Sequence, residues 1–103
     1  MSDRYSGKPF LKLLDAYVVD AIGHMDGATE LELAAMEPQM RGALGLSGDW
    51  RSLVEQRMKF PAGMSGAIRE VWDKGRLKFI AGNGREPDPL EFTIHFVDTN
   101  FPH

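Results

Sequence analysis

The sequence predicts a compact all-α domain of about five helices, and three observations support this prediction. Five segments place apolar residues at helical spacing, and each is bounded by start or stop signals. Only residues 92–96 alternate as a strand would, so a strand there would have no partner. The chain has 103 residues, 43% of them hydrophobic and 26% charged, as in one ordinary globular domain. We therefore expect one helical domain over residues 1–103, with residues 1–7 loosely ordered.

The first predicted helix runs from Pro9 to Ile22 and ends at Gly23. Pro9 suits the first turn, where a missing backbone N–H costs least. One wide apolar stripe follows the helix, and Lys8, Lys12 and Asp15 occupy the opposite face. The pattern predicts that these three charged side chains face solvent.

The second predicted helix begins at the capping-box sequence Thr29-Glu30-Leu31-Glu32, in which the two end residues satisfy each other's backbone donors. We expect this helix to be kinked or split near Pro38. The proline ring meets the carbonyl of Ala34, and Pro38 has no backbone N–H to donate to it. A short helical piece over residues 39–44 then follows.

The remaining three helices have clear boundaries. Ser47 or Asp49 caps a third helix at Trp50–Lys59, and Gly82-Asn83-Gly84 stops a fourth at Met64–Ala81. A fifth follows Asp88 with Pro89 at its first position and runs to Asn100; its cap outweighs the strand-like alternation. Gly75 interrupts the fourth helix at a cost of about 1 kcal/mol relative to alanine. We expect either a close approach of another helix at Gly75 or an end and restart of the helix there.

The fifth helix carries two apolar faces when it is projected at about 100° per residue. One face consists of Leu90, Ile94, Val97 and Phe101, and Phe92 and Phe96 lie roughly opposite. A peripheral helix can turn only one face to the core, and a two-fold dimer is the commonest way to cover the other. We therefore predict a homodimer with Phe92 or Phe96 in its interface. The alternative is a monomer in which this helix is central.

Composition excludes several classes of protein. The chain has no cysteine, which excludes disulfides, thiol chemistry and cysteine-bound zinc and fits the cytoplasm. No run of about 18 apolar residues occurs, so we expect no membrane span. No zinc, EF-hand or phosphate-loop motif is present, and we expect neither a metal nor a cofactor. The net charge of −3 makes nucleic acid an unexpected partner.

Three residues are candidates for a ligand site. Asp20 and His24 are four residues apart at the end of the first helix, where a carboxylate could orient an imidazole. The structural interpretation of His24 is a cation that the helix C-terminus favours. Arg57 projects into an apolar stripe, where it could hold an anion in a partly dry groove. Its structural interpretation is an apolar stem with its head group in water.

We expect a non-catalytic interaction module that pairs with itself or with another protein. One alternative is a small-ligand binder or enzyme with a pocket formed by Asp20, His24 and Arg57. Another is a helix-turn-helix DNA binder, because a short turn joins the third and fourth helices. Residues 41–85 carry nine basic and four acidic side chains, which is the only support for a DNA-binding face.

Overall fold

The computed structural model describes residues 4–102, which form five α-helices and contain no strand. They are α1 (Pro9–Ala21), α2 (Gly27–Leu44), α3 (Trp50–Met58), α4 (Met64–Asn83) and α5 (Pro89–Asn100). The predicted all-α class and the number of helices are confirmed. No helix among these residues is both long and apolar enough to cross a bilayer.

Helix α1 is the centre of the fold. It packs against α3, α4 and α5, and α2 packs against α3. Every residue of α1 from Leu13 to Val18 is buried, so the helix is covered on nearly all sides. The core around it is formed by side chains from all five helices: Leu33 and Met40, Trp50, Leu53 and Val54, Ile68 and Trp72, and Val97.

Helix N-termini follow the predicted cap chemistry at α3 and α5. The Asp49 side chain accepts a hydrogen bond of 2.9 Å from the backbone N–H of Ser52, and Asp88 accepts one of 2.8 Å from that of Leu90. The predicted start of α2 is wrong. Asp26, rather than Thr29, is the N-cap, because its carboxylate accepts the Thr29 N–H at 2.7 Å. The N-cap therefore lies three residues earlier than the capping box suggested.

Helix α2 is continuous through Pro38, so it is not split. Proline removes one hydrogen bond to the carbonyl of Ala34, but the helix on either side of it is anchored in the core. Leu33 and Met40, which flank Pro38, are both buried. Tertiary packing on both sides keeps the two halves in one helix.

The face that α5 turns to the core coincides only in part with the one the apolar pattern predicts. Thr93 and Val97 are its fully buried residues, whereas Leu90 is 53% exposed. Phe92 and Phe96 flank this buried line and are half-buried. They are therefore not opposite the core, as the projection suggested, but at its edge. Because a polar residue, Thr93, lies in the middle of the buried face, the pattern of apolar residues alone does not reveal that face.

Candidate functional site

An open apolar groove of about 1000 Å³ lies on one side of the described chain. It runs past the start of α1, the C-terminal end of α2, the turn between α3 and α4, and the end of α5. Its apolar side chains include Phe10 and Leu11, Met40 and Leu44, Met58, Phe60 and Met64, and Phe101. Helix ends from four parts of the chain thus build one apolar surface.

Three cations belong to the lining of the groove: Lys8, Arg57 and Lys59. None of the described residues that line it carries a carboxylate. No ion pair within residues 4–102 involves any of these three cations. The groove is therefore apolar and locally positive, although the chain as a whole has a net charge of −3.

One wall of the groove is the segment Gly7–Pro9, and the residues just before it hold it in place. The Arg4 guanidinium donates to both oxygens of Asp15, from Nε at 2.7 Å and from Nη2 at 3.0 Å. The Tyr5 hydroxyl donates to the same carboxylate at 2.8 Å. Arg4 also reaches Asp98 on α5 at 2.9 Å, so one side chain joins the N-terminal segment to two helices.

Asp15 is only 2% exposed, which corrects the prediction that it faces solvent. A buried carboxylate requires partners, and Arg4 and Tyr5 supply three charge-assisted hydrogen bonds. Burial and the hydrogen bond to Asp15 raise the pKa of Tyr5 to about 12. The sequence shows no sign of this network, since it predicts residues 1–7 to be loosely ordered.

The predicted site residue Asp20 belongs to an ion-pair cluster on another side of the molecule. Arg51 donates to its carboxylate at 2.8 and 3.2 Å and to that of Glu30 at 2.8 and 2.9 Å. The guanidinium also lies over the Trp50 ring, 4.4 Å from its centroid. The hydrogen bonds to Asp20, and after them those to Glu30, raise the Arg51 pKa. Arg51 of α3 therefore links Asp20 of α1 to Glu30 of α2.

The structure does not bring Asp20, His24 and Arg57 together. Asp20 lines a small polar cleft beside Arg51, and Arg57 lines the apolar groove. His24 is exposed, and its ring meets the edge of Trp72 with 5.5 Å between the centroids. Of the three, Arg57 keeps the environment the sequence suggested, an exposed guanidinium beside apolar side chains.

The predicted interface residues Phe92 and Phe96 belong to a row of aromatic rings. The two rings stack at 5.6 Å, and Phe92 meets Trp72 edge-on at 5.0 Å. Phe96 contacts Phe101 at 5.6 Å, and Phe101 contacts Phe60 in the groove at 5.2 Å. Each predicted interface residue is thus half-buried among rings of its own chain.

The features expected of a helix-turn-helix protein are weak. The main contact of α4 is with α1, whereas the two helices of that motif are joined as one packed unit. Three basic side chains of α4, those of Arg69, Lys74 and Arg76, also have acidic partners. Arg69 pairs with Asp73, and Arg76 pairs with Glu86. These pairs reduce the positive field that a phosphate backbone would need.

No group of three side chains suited to a metal ion occurs among residues 4–102. Comparisons with protein-family models, with curated proteins and with solved structures find nothing that matches this chain. Its function must therefore be inferred from its own surfaces, and the apolar, locally positive groove is the surface with the clearest chemical character.

Proposed function

We propose that this protein is an interaction module, and that its groove binds an amphipathic helix with acidic residues from a partner protein. The observation that supports this most is the composition of the groove. Its floor is apolar, its lining includes the cations Lys8, Arg57 and Lys59, and none of the described lining residues carries a carboxylate. A helix that places apolar side chains on the floor and carboxylates beside these cations satisfies both features.

The form of the groove favours a helix over a small molecule. Small-ligand sites enclose most of their ligand, with volumes of about 300–1000 Å³. This groove lies at the top of that range and is open to solvent. Open apolar grooves with anchor positions along them are typical of helix recognition.

The floor is also suited to accept more than one arrangement of apolar anchors. Met40, Met58 and Met64 contribute flexible, polarisable side chains from three different helices. Such side chains adapt their rotamers to the partner, as in other surfaces that bind amphipathic helices. Arg57 adds a planar donor that can bind a carboxylate with two hydrogen bonds.

The test uses two designed peptides of about 15 residues, the length near which isolated helices become stable in water. Both carry leucines at helical spacing; one has glutamates on the polar face and its twin has lysines. Isothermal titration should show binding of the glutamate peptide, at least about tenfold tighter than the lysine twin, a difference of about 1.4 kcal/mol. Higher salt should reduce the difference, because the rim charges are screened.

Two matched substitutions on α2 show where the peptide binds. Ala43 lines the groove and Ala35 does not, and both are exposed helical alanines. Ala43→Glu should abolish binding of the glutamate peptide by occupying and recharging the groove, whereas Ala35→Glu should leave the affinity unchanged. Arg57→Gln should weaken binding several-fold, and Arg69→Gln, outside the groove, should not.

Three results would overturn the proposal. One is that neither peptide binds, and another is that Ala35→Glu and Ala43→Glu weaken binding equally. The third is that dodecanoate binds in an Arg57-dependent manner while the glutamate peptide does not. That result would assign the groove to a small anionic amphiphile, the ligand-binding alternative.

A further inference from the structure

The groove suits a helix that carries both apolar and acidic side chains, and the chain itself exposes such a helix. Residues 86–102 contain four carboxylates and neither lysine nor arginine. Four large apolar side chains are strongly exposed within residues 4–102: Leu31, Val71, Leu77 and Leu90. Of these, Leu90 lies in the acidic segment, at the start of α5, and it is 53% exposed. Helix α5 is therefore a candidate occupant for the groove.

The exposed face of α5 has an apolar edge and an acidic edge. From Leu90, which borders the buried face, the positions of Ile94, Asp98 and Glu91 follow in turn over about 100° of the helix circumference. Leu90 and Glu91 are exposed, Asp98 is half-exposed, and Ile94 is half-buried. An apolar pair one turn apart thus lies beside two carboxylates about two turns apart.

Glu91 is the carboxylate of this face that is best placed to meet a cation of another molecule. It is exposed, and no ion pair within residues 4–102 involves it. Arg76 lines a small cleft together with Glu91, but it pairs with Glu86. Asp98, by contrast, already contacts Arg4.

One chain cannot place this face in its own groove. Helix α5 itself lines the groove, but only with residues at its C-terminal end, Asn100 and Phe101. An α-helix rises about 1.5 Å per residue, so Leu90 lies about 15 Å along the axis from Asn100. The exposed face of α5 can therefore enter only the groove of another molecule.

We propose that the groove binds α5 of a second copy of this chain, with Leu90 and Ile94 on its apolar floor and Glu91 beside its cations. This inference rests on the proposed function, because it names a second copy as the partner that supplies the acidic helix. The groove has three cations and no carboxylate in its described lining, and residues 86–102 have four carboxylates and neither lysine nor arginine, so the two surfaces have complementary charge. The predicted self-association then occurs through Leu90 rather than through Phe92 or Phe96.

The exposed part of α2 fits the groove less well than α5 does. Leu31 is 75% exposed and has a glutamate on each side in the sequence. Both of these carboxylates already have partners, since Glu30 pairs with Arg51 and Glu32 pairs with Lys12. Docking through Leu31 would bring these two cations close to those of the groove.

Helix α4 has the wrong charge for the groove. It exposes Val71 and Leu77, but it carries four basic and two acidic side chains, so its net charge has the same sign as that of the groove. Gly75 in this helix has no visible packing role. The helix is continuous there, and a built Cβ would meet nothing within 4 Å among residues 4–102. Neither the expected close approach of another helix nor the expected restart occurs, so both expectations for Gly75 are wrong.

Sedimentation equilibrium over a range of concentrations tests the proposal. We expect the wild-type chain to associate at tens of micromolar, and Leu90→Gln and Glu91→Lys each to raise the dissociation constant at least about tenfold. Leu77→Gln and Glu70→Lys are the matched controls, because both residues are exposed on α4, and they should leave the constant unchanged. Circular dichroism verifies that each variant keeps its helices.

A mixture of two variants tests which surfaces meet. Ala43→Glu alters the groove and leaves α5 intact, whereas Glu91→Lys alters α5 and leaves the groove intact. Each variant alone should be a monomer. An equal mixture should associate, because the intact groove of one variant accepts the intact α5 of the other. Ala35→Glu, outside the groove, should associate as the wild type does.

The inference is wrong if the wild-type chain is a monomer at hundreds of micromolar, or if the mixture of the two variants stays monomeric. It is also wrong if Leu77→Gln weakens association as much as Leu90→Gln does, or if excess glutamate peptide binds without dissociating the wild-type complex. In each case the proposed function stands as long as the peptide binds the groove. Absence of peptide binding overturns the proposed function instead.

Discussion

Replacing the buried Asp15 with asparagine should destabilise the fold by about 3 kcal/mol. The carboxylate accepts two bonds from Arg4 and one from Tyr5, and its side chain is 3% exposed. Breaking a buried ion pair by removing one partner costs about 3–5 kcal/mol. The lower end applies because Arg4 keeps its 2.9 Å contact with the half-exposed Asp98.

Urea unfolding followed by tryptophan fluorescence measures this loss directly. The chain has two tryptophans, Trp50 and Trp72, and both are buried. In a domain of this size, a loss of about 3 kcal/mol lowers Tm by more than about 10 °C. Asp98→Asn is the control and should cost at most about 1 kcal/mol, because its side chain is 46% exposed.

A double-mutant cycle with Arg4→Met separates the ion pair from other effects of the substitutions. Arg4→Met leaves the buried Asp15 without a counter-charge, and Asp15→Asn leaves Arg4 with Asp98 alone, whereas the double variant removes the Arg4–Asp15 pair altogether. The double variant should therefore cost about 1–3 kcal/mol less than the two single losses added together. An additive cycle, or a cost below about 1 kcal/mol for Asp15→Asn, would refute the view that this network anchors the N-terminal segment.

Two further predictions concern α2 and the tyrosines. Pro38→Ala should raise the free energy of unfolding by about 1–3 kcal/mol in urea titrations, because the position is exposed and alanine restores the missing helical bond; a loss of stability would contradict this. Burial and hydrogen bonds to Asp15 and Glu55 raise the pKa of Tyr5 and Tyr17 to about 12. The folded state therefore favours the neutral phenols, and their contribution to stability is full below about pH 10 and is lost as the pH rises towards 12. Absorbance titration of tyrosinate in the folded chain should give midpoints clearly above 10, and ordinary midpoints would contradict the burial.

The fold was predictable because its signals are local. Asp49 and the Asp88–Pro89 pair mark helix starts through bonds that span two or three residues. The start of α2 was misplaced, because the Thr29 capping box drew the prediction, whereas Asp26 caps the helix and adds nearly one further turn. The buried face of α5 could not be read correctly, since its centre is Thr93, a polar residue that is fully buried.

The candidate site was largely beyond sequence analysis because it is assembled from distant segments. The groove joins residues near both ends of the described chain, from Gly7 to Pro102. Asp15 looked like a surface residue because its partner Arg4 lies in a segment with no helical pattern. Arg57 was the one groove residue with a signal, a cation at an apolar helical position. The residues that line the groove opposite Arg57 show no comparable pattern in the sequence.

Nuclear magnetic resonance mapping of the glutamate peptide on the labelled chain tests the central claim most directly. If the groove is the docking surface, amide shifts should change in residues 7–11, 40–44, 57–64 and 100–102, which contain its lining. Amides of the outer face of α4 should stay unchanged, and Ala43→Glu should remove the shifts while Ala35→Glu preserves them. Shifts centred on α4, or spread evenly over the surface, would contradict the assignment of the groove as the binding site.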